Sequence, residues 1–169
     1  MTLLLKTINH EIEALNKNNV RFTIIGDLNI LPSSTTKGLR DGVGITKDND
    51  GLNLCLALNY GSRQEIIDAI KIMAIKVRKG EIKPDDITEQ NFSDLLYTKD
   101  IPDPDLLIRT SGECRLSNFL LWQIAYTEIF MTDTYWPAFR EKELMDAIFD
   151  FQSRERRFGK VSEQITNTI

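Results

Sequence analysis

The sequence predicts an α/β protein with a central, mostly parallel sheet flanked by helices. Segments whose apolar residues recur at helical spacing alternate with short apolar runs typical of strands. The runs are apolar at almost every position, as expected for strands that are buried on both faces. A length of 169 residues suits one domain with one sizeable core, so 1–169 is predicted to be a single domain.

The first half of the chain supplies two of these strands and three helices. A helix is predicted from Thr2 to Lys17, and the β-branched run VRFTIIGD that follows predicts a strand. A weak helix, interrupted by glycines, follows Pro32, and LNLCLALNY then predicts the second strand. A strong amphipathic helix is predicted from Arg63 to Lys79. Its apolar face is predicted to comprise Ile66, Ile67, Ile70, Met73, Ala74 and Val77.

The second half repeats the alternation in shorter pieces. A short helix begins near Pro84, and IPDPD predicts a rigid, extended connector. LLIRT predicts a third buried strand, and SNFLLWQIAY predicts a helix that Ser117 or Asn118 caps. TEIFMT predicts a short strand, and a last helix is predicted from Glu141 to Arg157.

Composition excludes several classes of protein. The formal net charge of −4 argues against a nucleic-acid binder that relies on bulk positive charge. Two cysteines without a CxxC pair, and a single histidine, indicate no zinc site. Cys55 is predicted to be buried, Cys114 is predicted to lie near a ligand, and no disulfide is needed, which favours the cytosol. No apolar run is long enough to span a membrane, and no signal peptide is visible.

The stretch IRTSGECRLSN is the strongest candidate for a binding site. In parallel sheets, ligands bind beyond the carboxyl ends of strands, which here indicates residues 59–63 and residues 109–117. Arg109 ends a predicted strand, Gly112 permits a tight turn, and Arg115 and Ser117 precede a predicted helix start. Guanidinium groups grip phosphate oxygens in pairs, and a helix start adds free N–H groups. A diphosphate site is therefore one interpretation.

The residues alone leave a simpler interpretation open. An arginine at a strand end often pairs with a nearby carboxylate such as Glu113, and Ser117 is equally explained as a helix cap. Glu113 and Glu128 would repel an anion unless Mg²⁺ bridges them to it. A lone glutamate in a strand, such as Glu128, is more often an ion-pair residue.

Four segments together resemble one known family. They are NVRFTIIGD, LALNYGSRQEI, the long stretch DLLIRTSGECRLSNFLLWQIAYTEIFMTDTYWPAF, and RERRFG. They are similar to motifs of the cis-prenyltransferases, and in particular of the bacterial undecaprenyl diphosphate synthases. Three positions depart from the family pattern: Ser62 and Ser111 each replace a glycine, and Cys114 stands where the family often has a polar or basic residue.

The resemblance implies a function and a set of site residues. The family condenses isopentenyl diphosphate with an allylic diphosphate such as farnesyl diphosphate, in cis, giving undecaprenyl diphosphate, the lipid carrier for cell-wall synthesis. It implies Mg²⁺ as cofactor, with Glu128 as a metal ligand and Glu113 as an assisting residue. It also implies a homodimer in the cytoplasm, with transient membrane contact and no nucleic acid. The implied substrate-binding residues are Arg109, Arg115, Leu116, Ser117, Arg157 and Gly159.

One part of the family pattern is missing from this sequence. The pattern begins with a strand and an Asp-Gly-Asn-Gly-Arg-Trp loop, which carries the catalytic aspartate and binds the allylic diphosphate. Neither that loop nor the later Ser-x-Glu-Asn-Trp stretch occurs here. The resemblance therefore implies the carboxyl-terminal two thirds of an enzyme, which we expect to be inactive alone and whose catalytic residue stays unknown. The alternative is a non-catalytic subunit or diphosphate-binding protein of the same superfamily.

Overall fold

The computed structural model describes residues 2–155, without the side chains of residues 2–6, 8 and 9. The chain divides into two compact units, of which the first ends at Asp100 and the second begins at Ile101. Both units contain a pair of parallel strands with helices packed beside them, which confirms the predicted α/β class. The single domain predicted for 1–169 stays a prediction. Among residues 2–155, no helix has the length and apolar character that a membrane crossing requires.

The first unit contains two strands and four α-helices in its described part. Strand β1 pairs in parallel with strand β2, with Arg21 opposite Asn53 and Ile25 opposite Ala57. In chain order the elements are α1 (Thr2–Lys17), β1 (Arg21–Ile25), a 3₁₀ turn (Leu28–Ile30), α2 (Ser33–Thr46), β2 (Asn53–Ala57), α3 (Ser62–Arg78), a second 3₁₀ turn (Pro84–Asp86) and α4 (Glu89–Ser93).

Helix α2 forms despite its glycines because it packs on the core of this unit. That core consists of Ile12, Phe22 and Leu39, which are all buried. A Cβ atom at Gly42 would lie 3.0 Å from Cδ1 of Ile12, so the missing side chain lets α2 approach α1 closely. At the end of α2, the hydroxyl of Thr46 accepts a 3.0 Å hydrogen bond from the backbone N–H of Phe22. Tertiary packing therefore outweighs the poor helix propensity of the segment.

Strand β2 is not buried on both faces, which corrects the prediction from its apolar sequence. Leu54 is exposed and Cys55 is only half-buried, so Cys55 is not a core residue. Within the described residues β2 pairs with β1 alone. A strand with one neighbour leaves much of its surface uncovered, whatever its composition.

The buried face of α3 also differs from the predicted apolar face. The buried residues Ser62, Glu65, Ala69 and Met73 follow one another at helical spacing, whereas Ile67 and Ile70, together with Ala74, are exposed. The Glu65 carboxylate is held at this face by a 2.6 Å bond from the Tyr60 hydroxyl and a 2.8 Å bond from the backbone N–H of Tyr97. Hydrogen bonds that satisfy a buried carboxylate thus select the face, which hydrophobic spacing could not show.

The second unit contains two strands and one α-helix in its described part. Strand β3 pairs in parallel with strand β4, with Leu106 opposite Glu128 and Arg109 opposite Met131. The elements are β3 (Leu106–Arg109), β4 (Glu128–Met131), a 3₁₀ turn (Trp136–Ala138) and α5 (Glu141–Ser153).

Two helix predictions are wrong in this unit. Residues 117–126 form a series of turns, since Ser117, Asn118 and Leu120 have φ values of 52°, 62° and 47°, which belong to the left-handed region and not to an α-helix. The last helix ends at Ser153 and not at Arg157. Arg154 has extended backbone angles there, and its side chain contacts β4.

Candidate functional site

The loop that follows β3 is fixed to the segment that follows β4. The backbone N–H of Ser111 donates to the carbonyl of Thr134 at 3.0 Å, and that of Gly112 donates to the carbonyl of Thr132 at 2.9 Å. Gly112 has φ of +65°, and a Cβ atom there would lie 2.9 Å from Oδ1 of Asp133. The turn at Ser111 and Gly112 is therefore explained by the close approach of its backbone to residues 132–134. Its two N–H groups are already bonded to the protein, so they do not form the predicted N–H cradle for an anion.

A cavity of about 190 Å³ lies beside this loop, at the carboxyl end of β3. Leu107 and Arg109 point to the same face of the strand pair as their partners Ile129 and Met131, because side chains alternate along a strand. The cavity is lined by Leu107, Arg109, Cys114, Arg115, Leu116, Ile129 and Met131. The structure thus brings together three of the predicted binding residues, namely Arg109, Arg115 and Leu116.

The guanidinium group of Arg109 provides the most direct sign of an anion site. Its Nε atom is buried and has no hydrogen-bond partner among the described residues. A buried donor on a charged group is costly to leave unpaired, and an anion in the cavity would supply the missing acceptor. The buried, unpaired Nε atom of Arg109 therefore favours the interpretation of this loop as a diphosphate site.

Arg115 shows the local ion pair that the sequence left open. Its Nη1 atom contacts the Glu113 carboxylate, and the arginine side chain is exposed. An exposed pair of this kind contributes little to stability, so the arginine can exchange its partner for a phosphate group at small cost. Cys114, between them, is exposed and lines the cavity, and its place near a ligand stays a prediction.

Ser117 does not join the cavity lining. Its side chain is exposed, and its backbone has a φ value in the left-handed region. No helix begins directly after it among the described residues. The helix start that was predicted to face an anion is therefore absent from this part of the chain. The site that remains consists of side chains, chiefly the two arginines. Arg157 and Gly159, which the resemblance places at a diphosphate, lie outside the described residues.

Glu128 lies on the other face of the strand pair from Arg109. Glu128 pairs with Leu106, so these two side chains point to the same face of the strand pair. Leu106 lies three residues before Arg109, and side chains an odd number of residues apart on a strand point to opposite faces. The same separation places it about 10 Å away along the strand direction, at about 3.3 Å per residue. The predicted role of Glu128 as a metal ligand stays a prediction. Its side chain lies on the face of the strand pair opposite to the cavity.

Glu128 instead pairs with Arg154, a residue that the sequence did not single out. Nη1 of Arg154 donates to Oε2 of Glu128 at 2.9 Å and to the carbonyl of Ile129 at 3.1 Å, and Nη2 lies 2.5 Å from Oδ2 of Asp150. The hydrogen bond that Arg154 donates to Glu128 raises the pKa of Arg154 above its usual range. The RERR run is typical of a solvated helix end, so no local signal reveals this long-range contact.

Glu128→Gln is expected to lower the free energy of unfolding by about 1 kcal/mol, because Arg154 then loses a charged acceptor in a partly buried pair. Urea unfolding followed by tryptophan fluorescence measures this change, since Trp122 and Trp136 both belong to the second unit. Asp146→Asn breaks the more exposed pair with Lys142 and serves as the matched control. Equal effects of the two substitutions would contradict a structural role for the Glu128 pair.

Glu113 is the carboxylate of the loop beside the cavity, although it is not among the residues that line the cavity. Mg²⁺ needs only one or two carboxylates when phosphate oxygens and water complete its shell. No group of three acidic, histidine or cysteine side chains suited to a metal occurs in the described part of the chain. Glu113 is only partly exposed and lies in the loop that carries Arg115. A single carboxylate in this loop would suit Mg²⁺ only together with a diphosphate, and the magnesium cofactor stays a prediction.

The second predicted place, residues 59–63, borders a different cavity. It has a volume of about 390 Å³ and lies at the carboxyl ends of β1 and β2. Burial, with the nearby Asp68 and Asp27 carboxylates, raises the pKa of Tyr97 there. The lining comprises Asp27, Ile30, Asn59, Tyr60, Gly61, Gln64 and Tyr97. A lining with a carboxylate and without a cation does not suit a phosphate group.

Comparison with known protein families gives one clear match. Residues 1–159 match the family described as putative undecaprenyl diphosphate synthase. The chain is 52% identical over 165 residues to an isoprenyl transferase of Porphyromonas gingivalis, covering 98% of this chain and 65% of the relative. It is 44% identical over 165 residues to the ditrans,polycis-undecaprenyl-diphosphate synthase ((2E,6E)-farnesyl-diphosphate specific) of Aliivibrio fischeri, covering 98% and 64%.

Solved structures agree with this match. The chain is similar to lavandulyl diphosphate synthase from Lavandula x intermedia in complex with dimethylallyl diphosphate, with a TM-score of 0.91 and 36% identity over 95% of this chain and 70% of that one. It is also similar to a probable undecaprenyl diphosphate synthase from Campylobacter jejuni, with a TM-score of 0.81 and 36% identity over 94% and 72%. The chain spans about two thirds of the length of the curated relatives that it matches.

Proposed function

The chain belongs to the undecaprenyl diphosphate synthase family, and from this premise we propose that it binds isopentenyl diphosphate for condensation, in cis, with an allylic diphosphate such as farnesyl diphosphate. The product of the complete reaction would be undecaprenyl diphosphate, the lipid carrier for cell-wall synthesis. The observation that carries this proposal is the cavity with two arginines, one of which has a buried, unpaired Nε atom.

The two arginines have different tasks in this proposal. Arg109 is held by β3 and offers a buried donor, so it binds one phosphate group in a fixed geometry. Arg115 lies on the loop and replaces its bond to Glu113 by one to the second phosphate group. Charge-assisted bonds of this kind are worth roughly 1.5–3 kcal/mol each. Two guanidinium groups that bond to the same diphosphate fix its orientation.

Magnesium supplies further positive charge to a diphosphate, and we propose that Glu113 holds it on the cavity side. Glu128 remains the ligand that the resemblance implies, on the opposite face of the strand pair. Arg157 and Gly159 are proposed to reach a diphosphate across a homodimer, again by resemblance. The proposed setting is the cytoplasm, with transient membrane contact because the product is a lipid.

The 169 residues alone are proposed to bind substrate without elongating it. The allylic site and the catalytic aspartate of the family lie in a loop whose motif this sequence does not contain. A non-catalytic subunit of the same superfamily is the alternative. Retention of Arg109 and Arg115 favours the enzyme, since a subunit that only activates a partner does not need them.

The test joins the amino-terminal third of the Porphyromonas gingivalis relative to this chain and measures incorporation of labelled isopentenyl diphosphate with farnesyl diphosphate and Mg²⁺. We expect polyprenyl products from the chimera and none from the 169 residues alone. Arg109→Ala in the chimera is the control and should abolish the products. A folded chimera that makes no product, or long products from the 169 residues alone, would contradict the proposal.

A further inference from the structure

The outer edge of β2 offers backbone hydrogen-bonding groups that no strand of the described structure uses. The backbone N–H of Leu58 donates to the carbonyl of Ile25 at 2.9 Å, so the even-numbered residues of β2 face β1. Because the bonding direction alternates along a strand, the odd-numbered residues direct their N–H and C=O groups to the other edge. These residues are Asn53, Cys55 and Ala57. Among residues 2–155 β2 pairs with β1 alone, so this edge is open to another strand.

The sequence of β2 lacks the features that protect an edge which faces water. Such edges carry charged side chains, prolines or bulges, because an unprotected edge pairs with other chains. From Leu52 to Leu58 the sequence LNLCLAL contains no charged residue and no proline. The register with β1 runs through all five residues of β2 without a bulge. An apolar strand of this kind is typical of the inside of a sheet and not of its edge.

The outer edge of β1, by contrast, is covered at its start by side chains of the same unit. The Thr46 hydroxyl accepts a 3.0 Å hydrogen bond from the backbone N–H of Phe22, and the side-chain amide of Asn49 donates to the carbonyl of Val20 at 2.8 Å. These bonds occupy positions that an added strand would need. The strand pair is therefore closed at β1, and β2 is the side at which the sheet accepts a further strand.

Helix α3 has an apolar stripe that also lacks a cover. Ile67 and Ile70 are 47% and 49% exposed, and Ala74, four residues further along the helix, is exposed as well. A helix that follows a strand of a parallel sheet packs back on that sheet and covers the strands beside it. Because α3 follows β2, a strand added next to β2 would supply the layer that this stripe needs.

We propose that the outer edge of β2 receives a parallel, apolar strand from a polypeptide that corresponds to the amino-terminal third of the curated relatives. The chain spans about two thirds of their length. The strand and loop that begin the family pattern do not occur in its sequence. The added strand bonds to Asn53, Cys55 and Ala57, and its apolar side chains pack against Ile67 and Ile70. The inference rests on family membership and not on the binding of a diphosphate.

Coexpression of the affinity-tagged chain with the amino-terminal third of the Porphyromonas gingivalis relative, as a separate polypeptide, tests this surface without substrate. We expect a one-to-one complex by native mass spectrometry. Hydrogen exchange at the amides of Asn53, Cys55 and Ala57, followed by NMR, should be at least about tenfold slower in the complex than in the chain alone, because the added strand must open first. The amides of Leu54 and Leu56 already face β1 and should change less.

Cys55→Pro should abolish the complex and leave the chain folded, because proline is tolerated on an edge where its missing N–H faces solvent. Cys55→Ala keeps the N–H group and is the matched control, and circular dichroism checks folding. Ile67→Glu is a second variant that should weaken the complex, whichever way Cys55→Pro folds. Its control is Ile72→Glu, because Ile72 is 43% exposed and lies on another side of α3.

Three results would overturn the proposal. The first is no complex with the folded, unsubstituted chain. The second is a complex in which the three outward amides exchange as fast as before, or which the Cys55→Pro and Ile67→Glu variants form as well as their controls do. The third is a dimer of the chain alone that protects the same amides, since a second copy would then cover the edge. None of them bears on the binding of isopentenyl diphosphate, so the proposed function is tested separately.

Discussion

Arg109→Ala is expected to weaken the binding of isopentenyl diphosphate to the protein by about 10- to 100-fold, the largest effect of any single substitution in the cavity. The guanidinium group makes charge-assisted bonds worth roughly 1.5–3 kcal/mol each, and 1.4 kcal/mol corresponds to a factor of ten in affinity. Arg109→Lys should recover only part of this loss, because an ammonium group cannot form the paired bonds of a planar fork.

The matched control for Arg109 is Arg40→Ala, which removes the same charge from an exposed position on α2. Isothermal titration of each variant separates a local contact from a change in net charge. If Arg40→Ala weakens binding as much as Arg109→Ala does, the effect is one of overall charge, and Arg109 does not contact the diphosphate.

Leu39→Ala is expected to lower the free energy of unfolding of the first unit by about 2–5 kcal/mol. Leu39 is fully buried and belongs to the core with Ile12 and Phe22. Removing its outer carbons leaves a cavity that the helices α1 and α2 cannot fill without moving. A loss of this size is a large fraction of the stability of a small domain.

Circular dichroism during urea unfolding measures this loss, since tryptophan fluorescence reports only on the second unit, where Trp122 and Trp136 lie. Leu52→Ala is the control, because that side chain is 70% exposed and its loss should change the free energy of unfolding by less than about 0.5 kcal/mol. Similar urea midpoints for the two variants would show that Leu39 stabilises the first unit no more than an exposed leucine does.

Much of the fold follows from periodicity. Helix α1 begins and ends where its apolar spacing predicts, and β1, β2, β3 and β4 lie within the predicted apolar runs. These features are local, because each depends on the spacing of residues within one segment. Burial is not local, which is why the exposed surface of β2 and the buried Glu65 on α3 could not be predicted. Both depend on which neighbours cover a segment.

The candidate site could be predicted in part for the same reason. Arg109, at the end of β3, and Arg115, in the loop beyond, follow from the sequence, and the structure brings both to one cavity. The Ser117-Asn118 pair was ambiguous, because such residues cap helices and also tolerate the left-handed conformation that the structure has. The opposite face of Glu128 and its bond to Arg154 depend on strand register and on a contact across 26 residues, which no local pattern reveals.

The most direct test of the central claim is isothermal titration of isopentenyl diphosphate, with Mg²⁺, into this protein and into the Arg109→Ala, Arg115→Ala double variant. The account predicts saturable binding to the unsubstituted protein and its loss in the double variant, with both proteins folded by circular dichroism. Absence of binding to the folded, unsubstituted protein would contradict it, as would equal binding by the double variant.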